Sequence, residues 1–299
     1  MRIAGLDFGS NTTLLLIADV VDGKVVNVLC DETRITKMGQ GVHKSKKFHP
    51  DSLARVEQAL KDYEKLIQKF QPDKVCGVAT SAARDVENSH VLFEMAKSHG
   101  VPIEVISGTR EAELTFRGAF ADRAPEANSC VIDVGGGSTE LIFKDGEKIV
   151  GQSIDVGSVR LMDLYGESDP MDQESFQQMR NYVRERLNPD WKSQNFEHGV
   201  AVAGTPTILA AMEMGLKDFD CEKVDGFRLE KKTLQDWMSK LQKMSLNERE
   251  QIVGLPKGRA DVIVAGCAIL FEFLDFIGLE SLEVSIRGVR FGVVLDQAH

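Results

Sequence analysis

One hairpin is written twice in this chain, and the repetition limits what the chain can fold into. Residues 5–17 read GLDFGSNTTLLLI and residues 131–143 read VIDVGGGSTELIF. Each has an apolar strand ending in aspartate (Asp7, Asp133), a glycine-rich turn with a serine (Gly9-Ser10; Gly135-Gly136-Gly137-Ser138) and a second apolar strand. Each then reaches an Asp-Gly pair (Asp22-Gly23, Asp145-Gly146) and a third strand. Glycine lets a backbone approach an anion closely, and consecutive N–H groups form a concave nest for one. Two such turns, each beside a carboxylate, point to two jaws around a metal-bound phosphate.

The order of elements repeats as well. The first half reads as strands near 2–7, 12–21 and 24–35, a helix over 51–70, a strand at 74–79, a helix over 86–99, a strand at 101–106 and a helix over 110–120. Leu53, Val56, Leu60, Tyr63, Ile67 and Phe70 fall on one face at helical spacing, with Asp51 or Ser52 to cap the start. The second half reads as strands at 129–134, 138–144 and 147–155, helices near 157–165 and 172–187, a strand at 199–203 and a helix from 206. An inserted helical stretch (232–250), a long helix (257–277), a strand (281–286) and a last helix follow. Each half is thus βββ-α-β-α-β-α: an α/β fold of two domains, each a mixed five-stranded sheet flanked by helices. The polar segment 121–128 suits a linker, giving domains 1–125 and 126–299, with the last helix able to pack back on the first. Pseudo-symmetry would aim the two glycine turns into one interdomain cleft.

A net charge of −10 argues against a general nucleic-acid binder. It leaves room for a small polyanionic substrate, because local arginines, N–H groups and a metal can invert the field. The five cysteines lack metal or disulfide spacing and read as buried free thiols of a reducing cytosol. The apolar stretch 261–277 is broken by Asp261, Glu272 and Asp275, so no membrane span is expected, and the chain reads as cytoplasmic. The basic segment 36–50 (TKMGQGVHKSKKFHP) reads as an exposed, solvated loop.

Five segments carry residues of chemical interest. Asp7 and Asp133 either bond to the turns that follow them or share a metal role, and the duplication favours the metal, magnesium by the hardness of the oxygens. In ATSAARD (79–85), Arg84 suits a bidentate phosphate contact or an ion pair with Asp85 or Glu87. In VISGTREAELTFRG (105–118), Glu111 lies in the first turn of a helix, either favoured there by the helix dipole or placed to orient a water and take its proton. In AVAGTPTILAAM (201–212), Thr205 fits an N-cap and Pro206 the first helical position, and a helix start beside Gly204 would attract an anion. Arg259, Arg287 and Arg290 are surface cations or a positive lining of the second domain.

Taken together, DFGSNTTLLLI, ATSAARD, ISGTREAEL, IDVGGGSTEL and AGTPTILAA resemble, in order, the motifs of the exopolyphosphatase / guanosine pentaphosphate phosphohydrolase (Ppx/GppA) family of the actin-like ATPase superfamily. The resemblance implies ribonuclease H-like domains and magnesium-dependent removal of a terminal phosphate from inorganic polyphosphate or pppGpp. It implies Glu111 as general base. Asp133 with Asp7 or Glu140 would hold the metal, and Glu140 joins Glu111 and Arg84 as a catalytic candidate. Ser10, Asn11, Gly135, Gly136, Gly137, Ser138 and Thr139 would cradle phosphates, with Gly204 and Thr205 deeper in the second domain. A homodimer is a further family-level expectation. Arg110 stands where the family often has an acidic residue, and the length matches the short members without a C-terminal helical domain. A kinase of the same superfamily and a non-catalytic alarmone sensor are the alternatives, separated by the need for an acceptor and by survival of the ligand.

Overall fold

The computed structural model describes residues 1–298. The chain divides into two units, Met1–Ala124 together with Arg287–His299, and Pro125–Ile286.

The first unit holds β1 (Arg2–Phe8), β2 (Thr12–Val21), β3 (Lys24–Ile35), β4 (Lys74–Ala79) and β5 (Ile103–Val105), in the spatial order β3-β2-β1-β4-β5. The first three form an antiparallel meander, and β4 and β5 join parallel to β1. The strands alternate, so their two faces feed different cores. Ala4, Leu6, Phe8, Leu15 and Ile17 pack with Val56, Leu60 and Tyr63 of the helix Pro50–Phe70. Ile3, Leu16, Ala18 and Val20 pack instead with Phe291, Val294 and Leu295 of the last helix, Val289–Asp296. That helix crosses the helix Gly108–Ala119 backbone to backbone: a Cβ on Gly292 would stand 1.9 Å from Leu114 O, and one on Gly118 2.1 Å from Gly288 O.

The second unit repeats the plan with β6 (Ser129–Val134), β7 (Thr139–Asp145), β8 (Lys148–Ile154), β9 (His198–Val202), β10 (Arg228–Glu230) and β11 (Ser281–Val284). Its order is β10-β11-β9-β6-β7-β8, so β8-β7-β6-β9-β11 matches the whole first sheet. Five strands were expected here; the sixth, β10, is a three-residue antiparallel edge on β11, too short to leave a periodic signal. The apolar helix Ile263–Ile277 is buried nearly all round, which explains its lack of a polar face. Its Glu272 is held by Arg180 and Arg184 of the helix Gln173–Arg184.

Local details differ from the sequence reading. The helix Pro50–Phe70 is capped by neither Asp51 nor Ser52; His49 caps it, its ring accepting from Asp51 N, with Pro50 in the first turn. Ser52 is released to donate to Lys37 O at 2.7 Å. The second hairpin turns on Gly146-Glu147 rather than Asp145-Gly146, because Asp145 still pairs with Lys148. Gly146 alone carries positive φ there, whereas Asp22 and Gly23 both do in the first hairpin. Of the cysteines, Cys130 and Cys267 are buried, Cys30 and Cys76 half-buried, and Cys221, against expectation, exposed; none forms a disulfide among the described residues. Among the described residues no helix is long and apolar enough to cross a membrane.

Candidate active site

In the first unit β1 and β4 run parallel and end level, Phe8 beside Ala79, so the segments beyond them emerge together. Gly9 N donates to Thr12 O at 2.9 Å and closes the first turn. The carbonyls of this turn are engaged from behind: Ser10 O accepts from Gly39 N, and Asn11 O from Thr36 N and Lys37 N. The N–H groups of Ser10 and Asn11 donate no hydrogen bond among the described residues. Ser10 Oγ lies 2.9 Å from Ser81 Oγ, tying the two segments together. Asn11 is buried, yet neither its Oδ1 nor its Nδ2 has a partner. A buried amide left unpaired is costly, and native structures keep few without a ligand or water to serve.

Arg84 closes the short helix Ser81–Arg84, between the strand and the helix that the sequence predicts. It pairs with neither Asp85 nor Glu87 but reaches across the sheet end, Nη1 donating to Ile106 O and to Glu111 Oε2, both at 2.8 Å. Glu111 sits in the first turn of the helix Gly108–Ala119, whose N-cap Ser107 accepts from Arg110 N. Its side chain is only 9 % exposed. Burial pushes its carboxyl above the ordinary range, with Arg84 and the Thr80 side chain pulling the other way. Asp7 is also buried, but the residue opposite it on β2 is Leu14.

In the second unit Gly135 N donates to Ser138 O at 3.0 Å, the same closure as in the first turn. Gly135 O accepts from Ser158 N, Gly136 O from Val159 N and Arg160 N, and Gly137 O from Arg160 Nε at 2.8 Å. All three glycine carbonyls are thereby taken, and Gly136, Gly137 and Ser138 donate no backbone hydrogen bond among the described residues. Gly157 makes this backing possible, since a Cβ there would stand 2.4 Å from Gly136 and Gly137 backbone atoms. Asp133 on β6 directly faces Glu140 on β7, which faces Ser153 on β8. Glu140 is 1 % exposed and accepts from Ser153 Oγ at 2.6 Å.

Two expectations in this unit need correction. Thr139 is fully buried and its hydroxyl donates to Val156 O at 2.6 Å, so it braces the turn instead of offering a phosphate donor. Thr205 does not cap its helix. That role falls to Ala203, held at φ 75°, and the helix begins at Gly204, ahead of the start that Pro206 suggested. The Thr205 side chain packs instead where a Cβ of Gly266 would go, 2.5 Å from its Oγ1. The helix start keeps no side-chain cap, and its Gly204 lies under the Arg259 guanidinium: a Cβ there would be 2.4 Å from an Arg259 Nη. Arg259 donates no side-chain hydrogen bond among the described residues, and burial pulls it down to about 10, with Asp261 opposing. Arg287 and Arg290 do not line the second unit; they belong to the first, paired with Asp122 at 3.0 Å and Asp31 at 2.7 Å.

The structure therefore brings Ser10, Asn11, Arg84 and Glu111 to one end of the first sheet. It brings Asp133, Glu140 and the loop Gly135–Ser138 to the matching end of the second. Sequence reasoning missed Gly39, Gly157 and Arg160, the residues that back the two turns. Their signal lies in the duplication itself, since each follows the third strand of its hairpin.

The chain is similar to proteins of one known family. The model of the Ppx/GppA phosphatase family matches residues 16–299. "Exopolyphosphatase 2" of Mycobacterium tuberculosis is 36 % identical over 99 % of this chain and 98 % of its own length. A Ppx/GppA family member of Aquifex aeolicus superposes with TM-score 0.81 at 30 % identity, over 100 % of this chain and 97 % of that one. An exopolyphosphatase of Cytophaga hutchinsonii superposes with TM-score 0.88 at 29 % identity, over 99 % and 98 %. With both glycine turns, the Arg84–Glu111 pair and the paired sheets in place, the chain belongs to the Ppx/GppA phosphatase family.

Proposed function

We propose that this phosphatase is a phosphoanhydride hydrolase that releases terminal orthophosphate from inorganic polyphosphate, and from pppGpp where the terminal group is the same. The observation that carries the reading is Glu111: a buried carboxylate with a raised proton affinity, bonded to Arg84 at the end of the first sheet. Phosphoryl transfer passes through a loose transition state whose charge lies on the phosphoryl oxygens, so positioning and electrostatics dominate. In the first unit the N–H groups of Ser10 and Asn11 and the Asn11 amide bind those oxygens and Arg84 clamps the chain; in the second, the N–H groups of Gly136, Gly137 and Ser138 form an anion nest of their own. Glu111 orients a water and takes its proton as the water oxygen bonds to phosphorus. The bridging P–O bond then breaks, and the shortened chain leaves with its electron pair.

A magnesium ion fits the second unit. Asp133 and Glu140 are buried carboxylates facing each other across a strand pair, an arrangement that repels unless a cation offsets it. Among the described residues no three His, Cys, Asp or Glu side chains gather as a metal site. The ion inferred here would be held by one or two carboxylates and completed by water and substrate oxygens. When bound it would neutralise charge on phosphate oxygens held at the second unit's glycine turn.

The test is phosphate release from tripolyphosphate, long-chain polyphosphate and pppGpp, with and without magnesium and with no acceptor present. Release from at least one of them supports hydrolysis. Turnover that demands an alcohol or carboxylate acceptor would reassign the chain as a kinase, and ligand recovered intact would reassign it as a sensor. An unchanged rate in Glu111→Ala removes the base from the mechanism.

A further inference from the structure

The basic segment after β3 is built onto the first phosphate turn. Gly39 N donates to Ser10 O at 2.6 Å, and a Cβ on Gly39 would stand 2.9 Å from that of Ser10. Thr36 N and Lys37 N hold Asn11 O. On its far side the segment is tied to the residues just beyond Arg84. Glu87 N donates to Lys46 O and Phe48 N to Asn88 Oδ1, both at 2.9 Å. Ser52 and Arg55 of the following helix hold Lys37 O and Thr36 O. Met38, Val42 and Phe48 anchor it in the core. What reads in sequence as a solvated loop is therefore a fixed rim spanning the turn that offers Ser10 and Asn11 and the segment that offers Arg84.

Between its anchors this rim presents Lys44, Lys46 and Lys47, all exposed. None of the three ammonium groups has a carboxylate or hydrogen-bond partner among the described residues. Three neighbouring cations on a chain of net charge −10 repel one another, and an extended polyanion relieves that repulsion. We propose that Lys44, Lys46 and Lys47 form a subsite for the distal phosphates of a long polyphosphate chain whose terminal phosphate sits at Ser10, Asn11 and Arg84. The proposal rests on the hydrolase reading above and adds a chain-length preference to it. On this proposal a long chain spans from the turn to the rim, and tripolyphosphate does not.

The experiment compares wild type with the triple variant Lys44→Gln, Lys46→Gln, Lys47→Gln on tripolyphosphate and on long-chain polyphosphate. A control neutralises three exposed lysines elsewhere in the same unit, Lys65, Lys74 and Lys97. The expected result is a KM for the long chain raised about tenfold in the rim variant alone, with kcat and both tripolyphosphate constants unchanged. The matching Lys→Arg triple should restore wild-type KM. The salt dependence of long-chain affinity should flatten by about two to three ions released. An equal effect on both substrates, an equal effect of the control, or no effect overturns the subsite. Should wild type release phosphate from neither substrate, the hydrolase reading fails separately. Equilibrium titration with long-chain polyphosphate then decides: affinity lowered about tenfold in the rim variant sustains the subsite, and unchanged affinity overturns it.

Discussion

In the first unit Gly9 N–H closes the turn on Thr12 O; in the second, Gly135 N–H closes it on Ser138 O. In both, a segment after the third strand occupies the turn's carbonyls and leaves its N–H groups to serve an anion. The similarity stops at the side chains. The first turn carries Ser10 and Asn11, and a leucine faces its aspartate. The second carries bare Gly136 and Gly137, and a glutamate faces its aspartate. One copy thus offers side chains at its turn and has Glu111 and Arg84 at the same sheet end. The other offers bare backbone and keeps paired carboxylates. On the function proposed above, the two copies of one hairpin divide the work, with the base in one and the metal seat in the other.

The largest effect expected of that division is in the first unit. Glu111→Gln should lower kcat about a thousandfold with KM little changed. It should also erase an acid limb of the pH–rate profile lying above the ordinary carboxylate range, where burial places Glu111. Because the folded carboxyl holds its proton more tightly than the unfolded one, the ionised form loses stability as pH rises through that range. The Gln variant should therefore melt no lower than wild type at neutral pH, and a large drop in Tm would mean that Glu111 serves the fold.

Next come the glycines behind the turns. Gly157→Ala forces a methyl into the Gly136–Gly137 backbone and should lower kcat/KM about a hundredfold. Gly39→Ala meets the Ser10 side chain at 2.9 Å and should do less. The reverse order would mean that the first turn is the principal phosphate seat. Magnesium separates the copies next. Glu140→Gln should raise the magnesium concentration for half-maximal rate by about tenfold or more, and Asp7→Asn by less. Equal shifts would remove the assignment of the metal to the second unit alone. Asn11→Ala should raise KM about fivefold while Tm holds or rises slightly, since it deletes a buried amide that has no partner in the fold. A fall in Tm would assign that amide to structure.

The smallest effect compares two ion clusters that no reaction uses. Glu272 is 1 % exposed between two arginines, and Glu272→Gln should destabilise by about 2 kcal/mol. His99 lies near the surface between Glu64 and Glu57, whose hydrogen bonds raise its pKa. Its contribution is full below the unfolded value and disappears as pH rises through the folded one. His99→Gln should therefore cost under about 1 kcal/mol near pH 5.5 and nothing near pH 8.5 in denaturant titrations.

The sequence carried the duplicated hairpins, the strand order and the residues that gather at each sheet end, because these are local patterns of period, turn and glycine. It could not carry Arg84 choosing Glu111 over its neighbours Asp85 and Glu87, a partnership across 27 positions set by where two strands end. It misplaced the caps of two helices, since Ala203 at positive φ and a histidine ring at His49 are not the residues that capping rules favour. The family resemblance made Thr139 a phosphate ligand, whereas strand alternation turns that hydroxyl inward to Val156. The basic segment was visible as composition, but its attachment to Ser10 was not.

The last helix, locked through Gly118 and Gly292, closes the rear of the first unit with residues made after the whole of the second. The chain thus passes from one unit to the other and back. During synthesis the second unit is complete in sequence while the first still lacks part of its core. The unit that carries Glu111 is thus the last to be complete, although its motifs are translated first.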